Sequence, residues 1–321
     1  MRLLSAVVVF LGYWSFCESD ASWSYTNAAT KAIHWTEHFK MCGGNRQSPI
    51  NLTYANSRYA DKLTPVKISL STGVDLAPLK YDVENNGHSV EIKFPPNTWK
   101  VTLIGSDADY EVVQLHFHWG STNTVGSEHY LNERPYSLEA HLVCFNRRVY
   151  DVWDDAKGAP DGIAVLGFLN QVMENVEDSA TMLGVTSGIV DALPQLINAG
   201  SDQQIAAFDL RKLLDLVDPE KYFRYDGSLT TPPCTQNVAW TVFEKIIPAT
   251  SDQMLALRKL KFASGETETL MANNFRSTQL INPGKTLVPR VVYRSWNIST
   301  KVTAQISLLF FSIFIYVLET R

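Results

Sequence analysis

Gln114-Leu115-His116-Phe117-His118-Trp119 closes a run, Glu111 to Trp119, that is rich in Val, Leu, Phe and Trp. Such side chains fit a pleated, half-buried surface, so the run predicts a strand. Side chains alternate along a strand, which sends His116 and His118 to one face and Leu115, Phe117 and Trp119 to the other. Two imidazoles held side by side make half of a metal site. A second run, Leu138-Glu139-Ala140-His141-Leu142-Val143-Cys144-Phe145, reads the same way and places Glu139, His141 and Val143 on one face.

Were the two strands neighbours with these faces aligned, His141 would be a third ligand and Glu139 an acceptor for its other ring N–H. Three neutral imidazoles with one coordination position open form the pattern of a catalytic zinc site, whereas structural sites are closed by four protein ligands. Gln114 precedes His116 by the same interval as Glu139 precedes His141, and is placed to orient it. An H-x-H pair alone is a weak signal, because histidines at that spacing also occur in ordinary cores and surfaces.

Further motifs sharpen it. Gly126-Ser127-Glu128-His129 follows the first strand, and Gly227-Ser228-Leu229-Thr230-Thr231-Pro232-Pro233 comes much later. Arg46-Gln47-Ser48-Pro49-Ile50-Asn51 and Asn85-Asn86-Gly87-His88 lie upstream. With Glu139 to Val143, these segments closely resemble the alpha-class carbonic anhydrases, in that family's order, from about Trp23 to about Val292. The membrane-anchored or secreted members are the nearest in kind.

The resemblance implies a mainly β domain on a large twisted, mostly antiparallel central sheet with short peripheral helices. It implies reversible hydration of carbon dioxide to bicarbonate and a proton by a zinc-bound hydroxide, with His116, His118 and His141 as the Zn2+ ligands. Thr230 would donate its hydroxyl proton to Glu128, and so aim the nucleophile. His88 would be the proton shuttle, with Tyr25 and Asn86 ordering the water beside it. Val143, Val165, Leu229, Thr230, Thr231 and Trp240 would line the substrate pocket, while Val238 serves the core as readily as the pocket. Asn274 and Arg276 resemble residues that support the ligands and the core network. Cys42 and Cys234 match the family's disulfide, and Ser48-Pro49 and Pro232-Pro233 its cis bonds. Glu91 departs from the neutral amide that many relatives carry three residues after the shuttle, which bears on the rate of proton transfer. His34, His38 and His129 read as structural. The competing reading is a metal-free binding or adhesion domain of the same family; such members usually lack a ligand histidine, and this chain has all three.

The 321 residues carry 45% hydrophobic and 19% charged side chains, as ordinary globular proteins do. No linker-like run interrupts residues 23–290, and the formal charge of -5 argues against a nucleic-acid partner. Residues 1–17 read as a secretory signal, 22–292 as the catalytic domain, 293–305 as a polar stalk, and 306–321 as a hydrophobic tail. The apolar part of that tail falls short of the roughly 20 residues of a membrane span and suits a cleaved lipid-anchor signal, with Ser295, Asn297 or Ser299 as attachment point; a short true span is the alternative. These readings place the protein on the outer face of the plasma membrane, with carbon dioxide and bicarbonate as ligands and bicarbonate transporters as candidate protein partners. Without Cys17 three cysteines remain, and Cys144 is expected to be a buried free thiol. Asn51-Leu52-Thr53 is a glycosylation pattern. Short strands are expected between Val66 and Leu103 and a fully buried one at Ile163 to Leu169, with helices over 175–183, 188–196 and 251–259, the last capped by Thr250 or Ser251.

Overall fold

The computed structural model describes residues 23–103, 109–263, 269–284 and 289–297. The expected signal segment, the hydrophobic tail and most of the stalk lie outside them. Among the described residues, no helix is long and apolar enough to cross a membrane.

The two histidine-bearing runs form the strands Asp109–Trp119 and Leu138–Asn146, which pair antiparallel with His116 opposite His141. A bulge falls between Val112 and Gln114. One extra residue reverses the alternation, so Tyr110 and Val112 face away from the histidines, contrary to unbroken alternation. Ile163–Val172 lies on the far side of Leu138–Asn146, antiparallel to it and parallel to Val238–Phe243. Tyr222–Gly227, Val292–Arg294 and Ser57–Tyr59 continue outward from there. In the other direction come Val90–Lys93, Lys80–Asn85 and the edge strand Asp202–Ala206. The result is a mixed, mostly antiparallel sheet with short helices, as the sequence led one to expect.

Apolar side chains cover both faces of the sheet centre. Leu115, Phe117, Leu142, Cys144, Leu166 and Phe168 belong to one buried cluster, and Val143, Val165, Phe223, Val238 and Trp240 to another on the histidine side. Burial on both faces explains why Ile163 to Leu169 is continuously apolar rather than alternating.

The helical expectations need correction. Over 175–183 there is a 3-10 turn, Asp178–Ala180, and a separate helix, Met182–Val185. Between them Thr181 is extended (φ -105°, ψ 158°), and its hydroxyl accepts from Gly184 N. A threonine satisfying a free N–H in this way starts a helix, so it ends any helix running into it. Over 188–196, Ile189–Ala192 passes into the 3-10 turn Leu193–Gln195 at Pro194, which has no N–H to continue the α pattern. Ser251–Leu257 is helical, and Thr250 forms a capping box with Gln253.

Cys42 and Cys234, 192 residues apart, are disulfide-bonded, and Cys144 is free and buried. Trp35 packs on the disulfide, with Trp23, Tyr25 and Phe39 around it. Both Ser48-Pro49 and Pro232-Pro233 are cis. Replacing Cys42 by serine is expected to destabilise the fold by about 2–5 kcal/mol. Denaturant titration checks this, since reductant should lower the parent's midpoint and leave the variant's in place.

Candidate metal centre

His116, His118 and His141 leave the same face of their two strands, and their ligand atoms lie within 4.8 Å of one another. His116 Nε2 and His118 Nε2 are 3.0 Å apart. Each ring is fixed from outside. His116 Nδ1 meets Gln114 Oε1 at 2.8 Å, His118 Nδ1 meets the Asn274 carbonyl at 2.7 Å, and His141 Nε2 meets Glu139 Oε1 at 2.7 Å. These oxygens only accept, so each outer nitrogen carries the proton and each inner one, Nε2, Nε2 and Nδ1, presents a lone pair. Burial is the largest cause lowering the pKa of His116 and of His118, and it holds His116 well below the usual imidazole range.

Glu139 is fully buried and accepts four N–H bonds: from the backbones of Glu128 and His129, from His129 Nδ1 and from His141 Nε2. Burial pushes its pKa up. The electrostatic attraction and N–H hydrogen bonds that His129 and His141 offer outweigh that, and keep the carboxyl well below its ordinary range. His129 Nε2 in turn meets the Tyr225 hydroxyl at 2.6 Å, and that hydroxyl donates to Ser48 Oγ at 2.9 Å. Ser48 Oγ also accepts from Ser228 N. A chain of buried polar contacts thus ties the His141 strand to the loop that carries Thr230.

One expected contact is not formed. Glu128 was to accept from Thr230, but Oε1 accepts from Arg276 N at 2.8 Å, and the buried Oε2 has no hydrogen-bond partner. Instead Oε2 is turned toward the imidazoles, 3.5 Å from His118 Nε2 and 3.9 Å from His141 Nδ1. Three inward lone pairs and an unpaired buried carboxylate oxygen concentrate negative potential, and a divalent cation is the group that relieves it. The donor set fits zinc, which takes imidazole nitrogen readily.

Thr230 is 5% exposed, in a loop braced by the disulfide, by Leu229 N donating to Thr235 O, and by Trp240 Nε1 donating to Ser228 O. The Trp240 ring stands edge-on to His141 at 4.8 Å between centroids. Val143 and Val165 are buried beside it in the same cluster, Leu229 packs against that cluster, and Thr231 is half-buried.

His88 lies outside the three-histidine cluster. Its ring stacks on Trp23, with centroids 3.8 Å apart and planes 12° off parallel, and burial lowers its pKa. Asn86 Oδ1 accepts from His88 N, and Asn274 Nδ2 donates to His88 O. Tyr25 stands edge-on to His88 at 6.5 Å; burial, then the Glu128 charge, keeps its hydroxyl protonated well above the ordinary phenol value. Glu91 Oε2 accepts from Asn86 Nδ2 at 3.4 Å, and burial raises its pKa. Trp23→Ala should expose the His88 ring and raise its pKa toward the ordinary value of about 6.5. An NMR titration of the ring protons checks the direction.

Arg276 donates to Gln47 Oε1, Ser48 O and Cys42 O, which makes it a hub of the core network. Asn51, the expected sugar acceptor, sits half-buried in the short strand Asn51–Leu52 rather than in an exposed loop, and its Oδ1 accepts from Glu133 N. Ser295 is held by Glu220 O and Tyr222 O. Sequence reasoning missed the Trp23 stack, the Tyr225 link and the use of the Asn274 backbone. The aromatic Trp23-Ser24-Tyr25 was the signal for the first of these, and Asn274 was expected to support the ligands without the contact being assigned to its carbonyl.

Comparison with known proteins agrees with this geometry. Residues 30–289 match the eukaryotic-type carbonic anhydrase family. The chain is 34% identical to human carbonic anhydrase 7 over 249 residues, covering 77% of this chain and 89% of that protein. It is 33% identical to bovine carbonic anhydrase 6, covering 83% and 79%, and 32% identical to the rat mitochondrial carbonic anhydrase 5A, covering 83% and 84%. The chain therefore belongs to the eukaryotic-type carbonic anhydrase family.

Proposed function

We propose that the protein hydrates carbon dioxide reversibly with zinc held by His116, His118 and His141, at the outer surface of the cell. The observation that carries this reading is the set of three outer acceptors, which turn three proton-free nitrogens toward one point. When bound there, zinc supplies the Lewis acidity that lets a water give up its proton near neutrality, a property for which carbonic anhydrases are the standard example. The chain's own residues do the rest. Thr230 and Glu128 orient the attacking oxygen, which requires Glu128 Oε2 to turn from the imidazoles to the Thr230 hydroxyl. Val143, Val165, Leu229 and Trp240 form a dry wall for a small apolar substrate, and Thr231 completes it. His88, with its lowered pKa, takes the released proton and passes it to solvent, while Asn86 and Tyr25 order the water between. The disulfide is consistent with an exported protein, and the apolar runs at residues 3–11 and 306–318 supply the grounds for a signal and a lipid anchor.

Metal analysis of the purified protein, with hydration assayed before and after chelation, tests the reading. One zinc per chain and chelator-sensitive activity are expected. A folded, zinc-free protein without activity would favour the binding-domain alternative. His88→Ala should keep its zinc and slow turnover roughly 10- to 100-fold in weak buffer, with little loss in concentrated buffer that can accept the proton directly.

A further inference from the structure

The row of side chains that carries two of the converging rings continues past them toward the edge of the sheet. Glu91 stands directly opposite His116, as His116 does opposite His141, and Glu84 stands directly opposite Glu91. Opposed residues of antiparallel strands share a face and set their Cβ atoms about 5 Å apart. A carboxylate therefore sits one strand away from a metal-binding imidazole, on the same side of the sheet. Its neighbours Val90 and Ile92 are fully buried in the core cluster of the other face, which commits Glu91 to the histidine face. Glu91 and His116 are both only half-buried, so each keeps a solvent-facing surface there.

The Glu91 charge is held in place without being neutralised. Asn86 Oδ1 accepts from the backbones of His88 and Ser89, which fixes the amide and turns its Nδ2 to Glu91 Oε2 at 3.4 Å. Lys93, two residues on along the same face, pairs instead with Glu84, Nζ to Oε1 at 2.8 Å. An amide offers a dipole and no charge, so two carboxylates against one ammonium leave this row negative beside the metal centre. Low-dielectric walls focus the field of such a charge into the cleft they line.

We propose that Glu91 selects the ligands of the metal site by charge. A molecule whose head lies at the three imidazoles and whose body leaves over Val90–Lys93 is favoured when that body is cationic, as an amine or guanidine is, and disfavoured when it is anionic. This rests on the proposed metal centre, and the test separates the two. The zinc-loaded full chain is titrated at about pH 8, above the range in which a half-buried carboxyl takes up a proton. The probes are two benzenesulfonamides that ligate zinc through the same deprotonated nitrogen and differ only in carrying an aminomethyl or a carboxylate group para to it. The ratio of their Kd values cancels what the shared head contributes. The parent should prefer the amine, and Glu91→Gln should cut that preference roughly three- to tenfold. Lys93→Ala should raise it about two- to threefold, and salt at about 0.5 M should shrink it in both the parent and Lys93→Ala. A preference unchanged by Glu91→Gln, or a parent that prefers the carboxylate, overturns the proposal and leaves the metal centre standing. Failure of both probes to bind removes the metal centre, and the proposal with it. Should Glu91→Gln fail to fold, the salt dependence of the parent and the exposed Lys93→Ala change still decide.

Discussion

His116→Ala is expected to leave the protein folded, without bound zinc and with hydration activity reduced on the order of 1,000-fold or more. Losing a residue that merely supports a ligand typically costs 10- to 100-fold in metal affinity or activity, and His116 is itself one of the three converging rings. The fold should survive because the ring is half-buried at the sheet surface, while Leu115 and Phe117 on either side supply the core contacts. Metal content and initial hydration rates, compared with those of His88→Ala, make the test. Loss of zinc in both variants, or retention in both, would remove the division between ligand and shuttle.

Glu139→Gln should be felt in both the site and the fold. An ionised carboxylate accepts from four N–H groups here, and an amide must turn its own NH2 against some of those donors. Zinc affinity should fall 10- to 100-fold, and stability by about 2–4 kcal/mol. The pH dependence follows from the sign of the shift. The folded pKa of Glu139 is depressed, so its contribution is complete above the unfolded carboxyl value of about 4.3 and fades as pH falls below it toward the folded value. Denaturation curves between pH 6 and pH 3 should therefore show a steeper loss for the parent than for the variant; parallel curves would mean that the carboxylate is not the group being protonated.

Strand alternation put His116 with His118, and His141 with Glu139, on one face of each run, and the condition that the two runs be neighbours with those faces aligned is met by the pairing of His116 with His141. It also paired Gln114 and Glu139 with the correct rings, since both contacts lie within two residues of sequence. The third outer contact could not be read that way. His118 leans on a carbonyl 156 residues distant, and backbone carbonyls carry no side-chain signature. The Val112 bulge was equally hidden, as it depends on what the partner strand does. Over 175–183 the apolar spacing looked helical, yet Thr181 prefers to cap a new helix than to continue an old one. The orientation of Glu128 toward the imidazoles depends on local electrostatics that residue type alone does not convey.

The carbonyl that aims His118 belongs to Asn274, whose side chain also accepts from Trp119 N and donates to Phe117 O. During synthesis, then, all three rings leave the ribosome long before the residue that sets the pose of one of them. The pocket is written early in the message and acquires its grip only when nearly the last of the domain docks. Between those moments the nascent chain carries three histidines and no finished trap for an ion.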